Sequence, residues 1–280
     1  MMNGWIVESR EPRHADNEYA RLNRADVHRG TLLLVNRHFP VRLPAEGIKP
    51  IPGDMLRSAN AEELEVSLEP ECSRQLSALL DACEARDRIA VVSGYRSLDE
   101  QHRLYEASLA EHGEAFTASY VALPGASEHQ TGLAVDVGQY GEELDYIRPS
   151  FPNDGVCAAF RLLAPIYGFV QRYPEGKEAL TGIACEPWHY RYVGHPHAVI
   201  MAHLGLVLEE YIELLKRHAW GRTHLFAENG ESRTEIYYVE ATGEATEVPI
   251  AKGGAARWSG NNADGFVVTV VRAREGEPGG

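Results

Sequence analysis

The sequence has few cysteines, no long apolar run and no excess of positive charge. Only Cys72, Cys83, Cys157 and Cys185 occur in 280 residues, and no two form a C-x-x-C pair. That excludes the usual cysteine-based structural zinc site. Cys72 and Cys83 lie eleven residues apart on a predicted helix. That separation is about three turns, too far for a mutual disulfide. The four are read as buried free thiols, with one or two disulfides left open. No apolar stretch approaches the ~20 residues of a membrane span. The start, Met1-Met2-Asn3-Gly4-Trp5, lacks the basic-then-apolar layout of a signal peptide. Internal repeats are absent. The net charge of −14 argues against general affinity for nucleic acid or anionic membranes. An anionic substrate would have to be held by local donors.

What remains is ordinary for a soluble globular chain: 44% hydrophobic and 24% charged residues. The length suits one large domain or a domain with an appendage. Residues 1–29 are charged, without hydrophobic period, and read as a partly helical lead-in. Gly30 to Asn36 reads as a strand, and four prolines make 37–54 a loop. Residues 70–86 carry Leu76, Leu79, Leu80 and Cys83 at helical spacing behind Pro70. Ile89-Ala90-Val91-Val92 reads as a buried strand that delivers Ser93-Gly94-Tyr95-Arg96-Ser97, and a helix follows from Asp99 to about Glu111. Residues 139–154 read as loop, and 155–167 as a helix that Pro165 ends early. Residues 198–217 read as one periodic helix. Beyond Gly221 the pattern changes to short strands at 235–239, 246–250 and 266–271, with a frayed tail at 276–280. The expected domains are therefore a lead-in (1–29), a main α+β domain (30–221) and a small C-terminal β unit with its tail (222–280).

Chemistry concentrates in two stretches. The first runs from Ser127 to Asp136 and the second is Glu186-Pro187-Trp188-His189. Together they offer two imidazoles and several carboxylates, the ligand types of a zinc site. Taken singly, such residues are more often structural; the metal reading rests on the set. Leu133, Val135 and Val137 alternate with Ala134 and Asp136, so the run reads as a strand with Asp136 on the face opposite the apolar one. His129 is seven residues earlier, an odd spacing that would turn it away on a straight strand. Thr131-Gly132 can supply the bend that returns it. Glu186 and His189 are three apart, also wrong for one strand face, and Pro187 suggests irregular backbone rather than a ladder position. Three protein ligands with one open position mark a catalytic zinc, which leaves a fourth group, Glu186, free to act on water. Trp188 is expected to pack beneath the site. Arg172 and Lys177 read as solvated charges. His195 and His197 fall in a turn and are left out, and so is Cys185.

The pattern S-x-H-x-x-G-x-A-x-D followed by E-x-W-H resembles the VanY-type D-alanyl-D-alanine carboxypeptidases, zinc peptidases related to lysostaphin-type enzymes and to the Hedgehog signalling domain. Ser93-Gly94-Tyr95-Arg96-Ser97, Arg172-Tyr173-Pro174 with Lys177, and Trp188 to Gly194 are similar to that family in order and spacing. Leu34-Val35-Asn36 and Ser259-Gly260-Asn261-Asn262 extend the resemblance over roughly residues 30–271. It implies an antiparallel central sheet flanked by helices, with zinc held by His129, Asp136 and His189. It also implies that Glu186 moves the proton and that Arg96 polarises the scissile carbonyl. The guanidinium suits that task because it stays charged and presents a rigid fork of donors. Ser127, Gln101 and Tyr95 are weaker candidates for substrate contacts. The implied substrate is a peptidoglycan stem peptide ending in D-alanine.

Two rival readings stand beside this one. One is a wall endopeptidase or L,D-carboxypeptidase. The other is a zinc-containing binding module without turnover, as in Hedgehog; the presence of both Glu186 and Arg96 favours an enzyme. The family implies the cell envelope, while the start of the chain leaves the cytoplasm open.

Overall fold

The computed structural model describes residues 5–12, 17–53, 65–140, 145, 147–230 and 232–273. In chain order the first elements are β1 (Ile6–Arg10), β2 (Asn17–Asn23), β3 (Lys49–Pro50), β4 (Ser67–Leu68), α1 (Pro70–Ala82), β5 (Ile89–Ser93) and α2 (Leu98–Tyr120). Then come β6 (Ala134–Gln139), α3 (Gly155–Leu163), β7 (Phe169–Tyr173), α4 (Glu178–Thr181), β8 (Glu186–Tyr192), α5 (His197–Leu204) and α6 (Leu208–Lys216). The chain ends on β9 (His224–Glu228), β10 (Ser232–Glu240), β11 (Ala245–Ala251), β12 (Ala255–Gly260) and β13 (Gly265–Ala273). No helix of the described residues is long and apolar enough to cross a membrane.

Two compact units result, one of residues 35–207 and one that joins residues 1–34 to 208–280. The division differs from the expected boundaries. Residues 1–29 are not a separate lead-in, because β1 pairs with β9 and β2 with β11, both antiparallel. The strand signal was weak there because β1 is an edge strand with mostly exposed side chains, so little apolar alternation is required of it. The expected helix over 198–217 is two helices. Gly205, at φ 65°, ends α5 in a left-handed cap, and α6 belongs to the other unit.

The unit of residues 35–207 is built on a four-stranded antiparallel sheet in the order β5-β6-β8-β7. Its core joins Leu76, Leu79 and Leu80 of α1 to Ile89, Val91, Val135 and Val137 of the sheet and to Phe160 of α3. Pro70 opens α1, and the Glu69 carboxylate caps it by accepting from the Cys72 amide at 2.8 Å. Each buried leucine of α1 contributes roughly 1.5–3 kcal/mol. The Glu71–Arg74 pair is exposed and screened by solvent, so packing, not surface charge, fixes α1 in place. α2 starts at a Ser97–Glu100 capping box and runs past the expected end to Tyr120, broken at Gly113. α3 stops at Leu163 and tightens into a 3-10 turn containing Pro165.

The other unit carries a five-stranded antiparallel sheet, β1-β9-β10-β13-β12, and the β2–β11 pair. Tyr237, Phe266, Val268 and Val270 form its core with Val27 and Val248. The three strands expected here are present. β9 and β12 were missed, and the tail at 276–280 lies outside the described residues. All four cysteines are free thiols.

Candidate active site

The register of the sheet assembles the site. Asp136 of β6 lies directly across from His189 of β8 on one side and Ser93 of β5 on the other. His129 arrives from outside the sheet. It sits in a 3-10 turn, Glu128–Thr131, closed by Gly132 at φ 70°, and the chain then enters β6. The left-handed conformation favours glycine, and a Cβ there would also displace the end of the Ile48 side chain and crowd the Glu69 backbone. This is the bend that the odd spacing of His129 and Asp136 demands.

Glu186 and His189 are brought to one side differently. Both belong to β8, a strand rather than wholly irregular backbone, but its ladder to β7 is interrupted around Pro187. Gln171 pairs with Tyr190 while Tyr173 pairs with Glu186, so β8 spends two more residues than β7 over the same interval. The two side chains nonetheless meet, with Glu186 Oε2 3.6 Å from His189 Nδ1, and the irregular stretch leaves Pro187, which has no N–H to donate, outside the paired positions.

His129, Asp136 and His189 are all buried, and one ligand atom from each lies within 4.8 Å of the others. Among the described residues this is the one such group. The Nε2 of His129 is 3.2 Å from Asp136 Oδ2, and the Nδ1 of His189 is 3.0 Å from Asp136 Oδ1. The two rings stand perpendicular, with centroids 5.0 Å apart. The other nitrogen of His129, Nδ1, is 2.6 Å from the Gly94 carbonyl oxygen. A carbonyl only accepts, so Nδ1 carries the proton and Nε2 is bare. A bare nitrogen then faces a carboxylate, acceptor against acceptor, and buried Asp136 Oδ1 has no hydrogen-bond partner. A divalent cation between them resolves both mismatches, so the donor set fits a metal.

Charges around the group follow from burial. Burial pushes Glu186 up to about 8, with Asp136 adding to the effect and His189 opposing it. Burial lowers His129 against the pull of Asp136. Burial also opposes ionisation of Asp136, but the two histidines outweigh it and hold the carboxyl far below its usual range.

The group opens into a cavity of about 350 Å³ lined by every residue expected at the site: Tyr95, Arg96, Gln101, Ser127, His129, Asp136, Glu186 and His189. Arg96 donates to Gln101 Oε1 and to Ser93 Oγ, both at 2.9 Å. Gln101 in turn donates to the Ala122 carbonyl at 2.8 Å, so both ends of its amide are engaged within the protein. Trp188 is buried in the core cluster and also lines the cavity.

One expectation fails outright. Arg172 is not a solvated charge; it is 1% exposed and bonded to Glu128. Arg172 Nε and Arg191 Nη1 both donate to Glu128 Oε1, at 2.8 and 2.7 Å. The second oxygen, Oε2, faces His189 Nε2 at 3.5 Å. Burial disfavours the charge on Glu128, but the two guanidiniums outweigh it and hold the carboxyl well below the ordinary range. Sequence reasoning missed this cluster. Its signal was parity: Arg191 is two residues after His189 and so shares its strand face, where a cation needs a buried anion.

Residues 65–195 match the family model "VanY: D-alanyl-D-alanine carboxypeptidase". The chain is 41% identical over 186 residues to a bifunctional D-Ala-D-Ala dipeptidase and D-Ala-D-Ala carboxypeptidase, VanXYC, of Enterococcus gallinarum, a match that covers 66% of this chain and 95% of that one. It is 36% identical to a D-alanyl-D-alanine carboxypeptidase of Enterococcus faecium, over 87% of this chain and 76% of the other. The crystal structure of the vancomycin resistance D,D-dipeptidase VanXYg, in complex with a D-Ala-D-Ala phosphinate analog, is similar with a TM-score of 0.85 and 42% identity, covering 92% of this chain and all of that one (100%). Sequence, fold and the buried site thus agree: the chain is a peptidase of the VanY family of D-alanyl-D-alanine carboxypeptidases.

Proposed function

We propose that this peptidase is zinc-dependent and removes the terminal D-alanine from peptidoglycan stem peptides that end in D-Ala-D-Ala. The observation that carries the reading is the convergence, in one cavity, of a three-ligand group with a buried carboxyl and a braced guanidinium. His129, Asp136 and His189 would hold zinc. Bound there, zinc supplies Lewis acidity to the scissile carbonyl.

The chain's own groups do the rest. Glu186 accepts the proton of the attacking water and passes it to the leaving amine. Its placement beside the ligand group, with Oε2 3.6 Å from His189 Nδ1, and its raised proton affinity both suit a group that must take and return a proton near neutral pH. Arg96 meets the oxyanion that develops on the substrate. Gln101 and Ser93 hold its guanidinium, so its donors need not reorganise during reaction. Gln101, expected among the substrate contacts, thereby becomes a brace for Arg96. Ser127 and Tyr95 remain candidate contacts to the peptide.

The VanXYC relative, named as both dipeptidase and carboxypeptidase, makes the free dipeptide D-Ala-D-Ala a second substrate to test. Mass spectrometry of products from a pentapeptide ending in D-Ala-D-Ala, and from the free dipeptide, with and without a chelator, decides. Loss of one alanine from the pentapeptide, abolished by chelation, supports the proposal. Cleavage of the pentapeptide only at an internal bond, or activity indifferent to chelation, overturns it.

A further inference from the structure

We propose that Glu128 is a positioning residue for the ligand group. Its carboxylate accepts the Nε2 proton of His189 and so fixes Nδ1 as the atom offered to the metal. This rests on the metal reading above but not on the reaction assigned to it.

The two nitrogens of His189 face different surroundings. Nδ1 points at Asp136 Oδ1, 3.0 Å away, with Glu186 Oε2 at 3.6 Å. Nε2 points at Glu128 Oε2, 3.5 Å away. Only Nδ1 lies with the rest of the ligand set, and a neutral imidazole binds metal only through the nitrogen that lacks the proton. The proton must therefore be kept on Nε2. A carboxylate, which only accepts, enforces that tautomer. Among the described residues, Glu128 Oε2 and His189 Nε2 are both buried without a hydrogen-bond partner, and they face each other.

Glu128 is held for this task. Arg172 from β7 and Arg191 from β8 both bond the same oxygen, Oε1, which fixes the carboxylate plane and leaves Oε2 turned to the imidazole. Neutralising two buried guanidiniums would by itself explain an anion at this position. It does not explain why the second oxygen is directed at a ligand histidine. His129 shows the same device with a weaker acceptor, since its Nδ1 is held by the Gly94 carbonyl. The two ligands are thus unlike. One is oriented by neutral backbone, and the other by an ionised carboxylate that makes its imidazole the more basic donor.

The test uses the full chain and zinc alone, without substrate. Competition with a chromogenic chelator should give Glu128→Gln a zinc affinity about 10–100-fold weaker than wild type, the usual effect of losing such a partner. A Gln amide can also donate to Nε2 and so favour the opposite tautomer. Nitrogen-15 NMR of the imidazoles should place the proton of zinc-loaded wild-type His189 on Nε2. A folded Glu128→Gln protein with a lower Tm but unchanged zinc affinity would reduce Glu128 to a counter-ion and overturn the proposal. If that variant does not fold, the wild-type spectrum decides, because a proton on Nδ1 of zinc-loaded His189 overturns the proposal equally. A wild type that binds zinc with the expected tautomer yet cleaves no peptide would remove the hydrolytic reading and leave this one standing.

Discussion

Asp136 and His189 are cross-strand partners, and their side chains meet at 3.0 Å between Oδ1 and Nδ1. Because their position follows from strand register, neither can be moved without slipping the sheet. About one zinc per purified chain is expected, by the logic of three-ligand sites. Asp136→Ala and His189→Ala should each lose that zinc while the sheet persists. Elemental analysis and far-UV circular dichroism check this, and a folded variant at full zinc occupancy would remove its residue from the ligand set.

Glu186 should separate binding from chemistry. Glu186→Gln keeps the ligand group intact, so zinc content should hold while turnover drops roughly 10²–10⁴-fold, the usual effect of losing a positioned acid–base group. Zinc loss in this variant would make Glu186 a ligand instead.

The pH dependence of the metal-free protein gives a second handle on Glu186. Its folded-state value lies at about 8 against 4.5 for an ordinary glutamate, so between those pH values the folded state binds more protons than the unfolded one. Stability falls with rising pH wherever that holds. Metal-free wild type should therefore lose Tm relative to Glu186→Gln as pH rises from about 5 to 8. Parallel Tm curves for the two proteins would mean that Glu186 does not titrate in this window.

Arg96 and Gln101 are predicted to act as a pair of unequal members. Arg96→Ala should lower kcat by about 10²–10³-fold, as loss of an oxyanion donor does, and Arg96→Lys should not restore it because an ammonium lacks the fork. Gln101→Leu leaves the guanidinium present but unbraced on that side. It should lower kcat by about tenfold, equivalent to roughly 1.4 kcal/mol. An effect of Gln101→Leu confined to KM would return Gln101 to the substrate contacts.

The ligand types and the bend at Gly132 were legible because each was a local fact: residue identity, parity along a strand, a glycine where the chain must turn. In β8, Pro187 signals irregular backbone, but the register shift itself exists only in the pairing of β8 with β7. Arg172 was misread for a similar reason. A lone arginine is usually solvated, and only the tertiary approach of Glu128 gives it a buried partner. The N-terminal strands escaped because their partners, β9 and β11, lie some two hundred residues away in sequence.

Ser127 bears on where a substrate is cut. It is 3% exposed, lines the cavity and immediately precedes Glu128 and His129. An uncharged donor beside the ligand group can orient a terminal carboxylate without competing with Arg96. Release of D-alanine should therefore be far slower from a peptide amidated at its C-terminus, and Ser127→Ala should narrow the gap between acid and amide. Equal rates on both peptides in wild type would point to an endopeptidase.

Gly132 offers the last test, of the bend rather than of the chemistry. It joins the turn that carries His129 to the strand that carries Asp136, at φ 70°, with the end of the Ile48 side chain where a Cβ would lie. Gly132→Ala meets two penalties. The left-handed conformation costs roughly 1 kcal/mol for a residue with a Cβ, and the Ile48 side chain must move. The Ile48 part can be relieved separately. Ile48→Ala in the Gly132→Ala background should recover part of the lost Tm, leaving the backbone penalty. Zinc affinity should fall in Gly132→Ala as well, because displacing the turn shifts His129 relative to Asp136. If Tm drops while zinc affinity is unchanged, the turn tolerates the strain elsewhere and Gly132 serves packing alone.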